Sequence, residues 1–123
     1  MTSDLARTLK AAGEPTRLRL LNLLRIGDTC VCDLQAVLHL PQHAVSRHLA
    51  VLRHAGLVTD HRHGQRVVYS LAAPTSLPIK ALCQLVADCC LMDETLREDE
   101  QRFQKLLQRG ECLLTSQAKG GRP

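Results

Sequence analysis

A chain of 123 residues with 45% apolar residues holds one small domain, and 2% aromatic content means its core must be mostly leucine, valine and alanine. Sixteen Lys and Arg against twelve Asp and Glu give a net charge of +4, so the placement of the cations matters more than their sum. No apolar run approaches the roughly 18 residues of a membrane span, and charges at Asp4, Arg7, Lys10, Glu14 and Arg17 break up the N-terminus, which argues against a secretory leader and a membrane partner.

The first expected element is a short amphipathic helix from Ser3 to Ala12, with Leu5 and Leu9 at helical spacing, ended by Gly13. Pro15 suits a first helical position, and the apolar run 16–26 continues as a second helix closed by Gly27 and Asp28. A third short helix is expected from Asp33 to His39, stopped by Leu40 and Pro41. A fourth runs from Gln42 to His54 and ends at Ala55-Gly56. The period then changes to β-like at 57–62 and 65–71, a hairpin turning at His63-Gly64. Ser76 is placed to cap a last helix starting near Pro78, apolar through Ile79, Leu82, Val86 and Cys90, then charged and bent or restarted over 93–102. Residues 1–109 are thus read as one domain, and the glycine-bearing stretch 110–123 as a disordered tail.

Two short helices joined by a tight turn and followed by a basic hairpin spell a winged helix-turn-helix, mostly α with a small β-hairpin. Between Pro41 and Arg66 lie four arginines and a single acid, Asp60, and all six histidines fall between His39 and His63. That is a local surface suited to phosphate. In the fourth helix Val45, Leu49 and Leu52 share a face that should pack inward. Gln42, His43, Ser46 and Arg47 then face a DNA groove from the helix's N-terminal part. Arg47 suits guanine and Gln42 adenine. His48 and Arg53 are assigned to phosphates, and Arg62, His63, Gln65 and Arg66 to a wing that touches phosphates or the minor groove.

The strings EPTRLRLLNLL (14–24), CVCDL (30–34), VSRHLAVLRHAGLV (45–58) and GQRVVYSL (64–71) together resemble the ArsR/SmtB family of bacterial metalloregulatory repressors, over about residues 5–91. The resemblance implies a homodimer joined through its terminal helices. It also implies an apo-protein seated on an inverted-repeat operator in double-stranded DNA, and an inducer that releases it. A leucine-rich helical domain of this size, burying only about two thirds of its unfolded surface, has its own reason to dimerise.

Six cysteines in a cytoplasmic chain point to metal or redox chemistry rather than a disulfide scaffold. Cys30 and Cys32 are two residues apart, which in a regular helix directs them to opposite sides. They can share an ion only where the backbone is extended or distorted, as it can be at the start of a helix. CVCDL looks like the binding string of the arsenic-responsive branch, where thiolates hold trivalent arsenic or antimony. Soft thiolates prefer such ions. The chain departs from that pattern at Gln35, where some members carry a third cysteine. Residues 1–29 contain no cysteine, unlike the cadmium- and lead-responsive branch, and no histidine follows His63, unlike the zinc-responsive one.

Candidates for the missing third thiolate stand at Cys83, Cys89, Cys90 and Cys112. Cys83 and Cys90 share a helical face with Cys89 about 100° away, and Cys89 with Cys90 is a second candidate metalloid site. A buried cysteine is more often simply a small hydrophobe. Two thiols alone would suit a monomethylated trivalent arsenical. A redox or persulfide sensor, pairing Cys32 with a last-helix cysteine, is the alternative on the same fold. His61 and His63 flank Arg62 and read more simply as surface histidines of the wing than as metal ligands. An enzyme would need a general base beside a cysteine or a glycine-rich phosphate loop, and neither is visible. No resident cofactor is expected.

Overall fold

The computed structural model describes residues 4–72 and 76–109. Helix α1 (Asp4–Ala12) leads to α2 (Pro15–Leu24), whose first turn is closed by Glu14, its carboxylate accepting from the Arg17 amide at 2.9 Å. A two-residue strand β1 (Thr29–Cys30) runs directly into α3 (Val31–Leu38), and α4 (Gln42–His54) follows after three residues. Strands β2 (Val58–His63) and β3 (Arg66–Leu71) form the wing, and helices α5 (Leu77–Cys90) and α6 (Glu94–Arg109) complete the domain.

The turn between α3 and α4 depends on His39, which adopts a left-handed φ of 57° and donates its amide to the Gln35 carbonyl at 2.9 Å. It is the single non-glycine residue with positive φ among the described residues. This αL cap stops α3 sharply enough for α4 to leave in a new direction. Gly56, at φ 81°, ends α4 in the same manner. The wing turns on Gly64-Gln65, one residue later than expected, with Gly64 at φ 66° in a two-residue hairpin loop.

β1 was not foreseen: it pairs antiparallel with β3, Thr29 opposite Tyr69 and Cys30 opposite Val68, giving a three-stranded sheet in the order β1-β3-β2. Two residues carry too little periodic signal to announce a strand. The last helix restarts rather than bends. Asp93 accepts the Leu96 amide at 3.0 Å, caps α6, and sends it back over the domain.

Leu20 and Leu23 of α2, Leu34 and Val37 of α3, and Val45, Leu49 and Leu52 of α4 form a continuous buried core. Phe103, the chain's one phenylalanine, brings α6 into it. No helix among the described residues is long and apolar enough to cross a membrane. Cys112 and the tail expectation for 110–123 lie outside the described residues.

Candidate DNA-reading surface and thiol sites

Burial of Val45, Leu49 and Leu52 fixes which way α4 faces. Gln42, His43 and Arg47 are exposed, and Ser46 is half-buried beside them at the helix's N-terminal end. Arg53 is exposed too, but its guanidinium pairs with Asp60 of β2 at 3.0 Å, tying the end of α4 to the wing. His48 turns inward: its Nδ1 lies 3.2 Å from Arg17 and 3.8 Å from Glu14, with 17% of its side chain exposed. It braces α4 against α2. On the wing, Arg62 and Gln65 are exposed near the tip, while His63 and Arg66 are half-buried opposite each other.

The two thiols of CVCDL occupy different environments. Cys30 is the residue before α3, with extended backbone (φ −95°, ψ 164°) and 2% exposure, whereas Cys32 is exposed in the first turn of the helix. The backbone is extended at Cys30 and helical from Val31 onward, so the two thiols stand on either side of the strand-to-helix junction. Burial pushes the Cys30 thiol up to about 11; the Asp33 amide opposes this, and the Asp33 carboxylate and Cys32 add to it. At neutral pH Cys30 is a protonated thiol that must lose its proton to bind a soft ion.

Cys83 and Cys90 do share a face of α5, both turned toward Arg25, the residue just after α2. Burial raises both thiols and Arg25 works against it in each. The Cys90 thiol also donates to Glu100 of α6 at 3.2 Å, and Glu100 in turn pairs with Arg25 at 2.8 Å. Cys83 borders a cleft of about 380 Å³ with Arg25, Lys80 and Gln84. Cys89 is exposed. No three His, Cys, Asp or Glu side chains among the described residues are grouped to hold an ion.

The most heavily bonded polar cluster was not visible in the sequence. Asp99 of α6, 0% exposed, is gripped by Arg19 at 2.7 and 3.0 Å and by Arg102 at 2.7 Å. The same two arginines donate to the last carbonyls of α3, Arg19 to Leu38 at 3.2 Å and Arg102 to Val37 at 2.8 Å.

Comparison with known proteins fits this geometry. The family described as bacterial regulatory protein, arsR family, matches residues 14–60, which span α2 to the start of the wing. The arsenic resistance transcriptional regulator ArsR1 of Pseudomonas putida is 38% identical over 101 residues, covering 81% of this chain and 77% of that protein. The chain belongs to the arsR family.

Among solved structures of similar fold, HlyU from Vibrio cholerae superposes with a TM-score of 0.63 at 35% identity, over 69% of this chain and 89% of that one. The homodimeric winged helix-turn-helix DNA-binding domain Mb0332 from Mycobacterium bovis gives 0.61 at 33% identity, over 72% and 82%. As an arsR-family member this chain is a DNA-binding transcriptional regulator, not an enzyme, and its fold is the winged helix-turn-helix expected from the helix pair and hairpin.

Proposed function

We propose that this regulator is an arsenic(III)- or antimony(III)-responsive repressor that binds its operator as an apo-dimer and lets go when Cys30 and Cys32 bind the metalloid. The observation that carries this reading is the position of Cys30, which is at once the last residue of β1 and the residue immediately before α3. One side of it is the wing sheet; the other is the helix that precedes α4.

The chemistry is a ligand exchange. Each thiol displaces a hydroxyl from trivalent arsenic, an As–S bond replaces an As–O bond, and water carries away the thiol proton. No electron is transferred. Cys32, exposed, is the entry thiol. Closing the second bond requires Cys30 to leave its buried thiol state, which disturbs the β1–α3 junction. A coupling of about 1–3 kcal/mol between the two ligands shifts operator affinity roughly 5- to 150-fold.

Dimerisation is supported by the apolar side chains that one chain leaves in water: Leu5 and Leu9 on α1, and Leu77, Leu85, Leu91 and Met92 on and after α5. The homodimeric Mycobacterium bovis domain supports it as well. On this reading two copies of α4 address the two halves of an inverted repeat, and the regulator works in the cytoplasm.

Gln35, and the lack of a third grouped ligand among the described residues, favour a second form of the same reading. A monomethylated trivalent arsenical needs two sulfurs only, and the CVC pair supplies two. Arsenic bound per chain, measured by elemental analysis after desalting, tests both. One equivalent held by wild type and lost in Cys30→Ser/Cys32→Ser supports the site; one equivalent retained in that variant refutes it.

A further inference from the structure

We propose that α6 is a clamp that fixes the angle of the DNA-reading helix pair, with Asp99, Arg19 and Arg102 as its positioning residues. The proposal rests on the reading of α4 as the helix that enters the groove.

The last carbonyls of a helix have no partner within it and carry the negative end of its dipole. In α3 these carbonyls are met by two guanidinium groups, Arg19 on Leu38 and Arg102 on Val37. Each guanidinium is held in place by the same buried carboxylate, Asp99, on α6. One acid thus ties α2, α3 and α6 together. Phe103, 1% exposed and next to Arg102, locks α6 into the core at the same level.

The clamp's position gives it leverage. Leu38 is separated from Gln42 by the His39-Leu40-Pro41 turn alone, so the gripped carbonyls of Val37 and Leu38 lie five and four residues before the base-reading end of α4. The thiols Cys30 and Cys32 lie at the opposite end of α3. A helix of eight residues, held at one end by charge and tied at the other to the wing sheet, transmits displacement as a lever. The role of α6 is to hold that lever in the operator-binding setting.

The test uses the full chain and compares affinity for an operator duplex with affinity for a random duplex at one salt concentration. Arg102 is partly exposed, which makes Arg102→Gln the variant of choice, with Arg102→Lys as the conservative partner. We expect Arg102→Gln to bind operator about 2- to 30-fold more weakly while its affinity for random DNA, set by phosphate contacts, stays unchanged. Arg102→Lys should recover part of the preference.

A lowered melting temperature with an unchanged operator-to-random ratio would reduce the cluster to a structural brace and overturn the proposal. Arg47→Ala is run beside it. If Arg47→Ala loses preference and Arg102→Gln keeps it, the clamp alone fails; if Arg47→Ala keeps it, the α4 reading fails and the clamp with it. Should Arg102→Gln not fold, hydrogen exchange on wild type decides. Slower exchange of α6 amides on operator binding supports the clamp, and unchanged exchange refutes it.

Discussion

Cys30 lies directly opposite Val68 in the β1–β3 ladder. The first thiol of CVCDL is therefore a member of the wing sheet, while Cys32, two residues later, belongs to the helix that leads into α4. On the proposed function, a ligand that draws the two sulfurs together would act on the wing sheet and on the helix before α4 at once.

Cys32→Ser is expected to abolish release by arsenite and leave operator affinity within about twofold of wild type, because an exposed side chain in the first turn of α3 contributes little to packing. Anisotropy of a labelled operator under reducing conditions measures both. A preserved arsenite response would remove Cys32 from the site.

Because burial raises the Cys30 thiol from near 9 to about 11, its thiolate is scarce at neutral pH. Alkylation mapped by mass spectrometry should reach Cys32 first. The rate at Cys30 should climb about tenfold per pH unit until near 11. Stability follows with a definite sign: the unfolded chain ionises this thiol first as pH rises, so its contribution is whole below pH 9 and lost between about 9 and 11. Thermal melts of wild type and Cys30→Ala should converge across that window, and a constant gap would show that Cys30 is not the titrating group.

Arg47→Ala should cost operator binding about 1–3 kcal/mol and relax preference at one base pair in each half-site. An equal loss on random DNA would make Arg47 a phosphate contact. His48→Ala is a useful contrast. With His48 braced on Arg17 and Glu14, its loss should lower thermal stability more than DNA affinity.

Much of this was legible in the sequence because local rules dominate where the elements are regular. The limits of α4 follow from Pro41 before it and Gly56 after it, and the burial of Val45, Leu49 and Leu52 follows from their spacing. Elements and contacts made at long range were not legible. β1 exists because β3, about 40 residues away, offers a free edge. Arg19 and Asp99 are 80 residues apart, and nothing in either's neighbourhood names the other. Its position in α4 suggests a phosphate contact for His48, but the helix turns it toward Arg17 and Glu14.

Leu5 and Leu9 were read as the apolar face of an amphipathic helix, and the chain buries Thr8, Ala11 and Ala12 instead. If a second copy covers the two leucines, Leu5→Glu/Leu9→Glu should shift the protein toward monomer in sedimentation and weaken operator binding. The helical circular dichroism of the monomer should hardly change. A dimer that survives this pair would place the interface elsewhere.

Control of DNA release by the CVC pair is tested by an arsenite and then methylarsenite titration of the operator complex, followed by anisotropy. Wild type, Cys30→Ser/Cys32→Ser and Cys89→Ser/Cys90→Ser are compared side by side. Wild type and the Cys89/Cys90 variant should release DNA, and the Cys30/Cys32 variant should not. Release by the Cys30/Cys32 variant, with loss of response in the other, would contradict it and move the sensor to the end of α5.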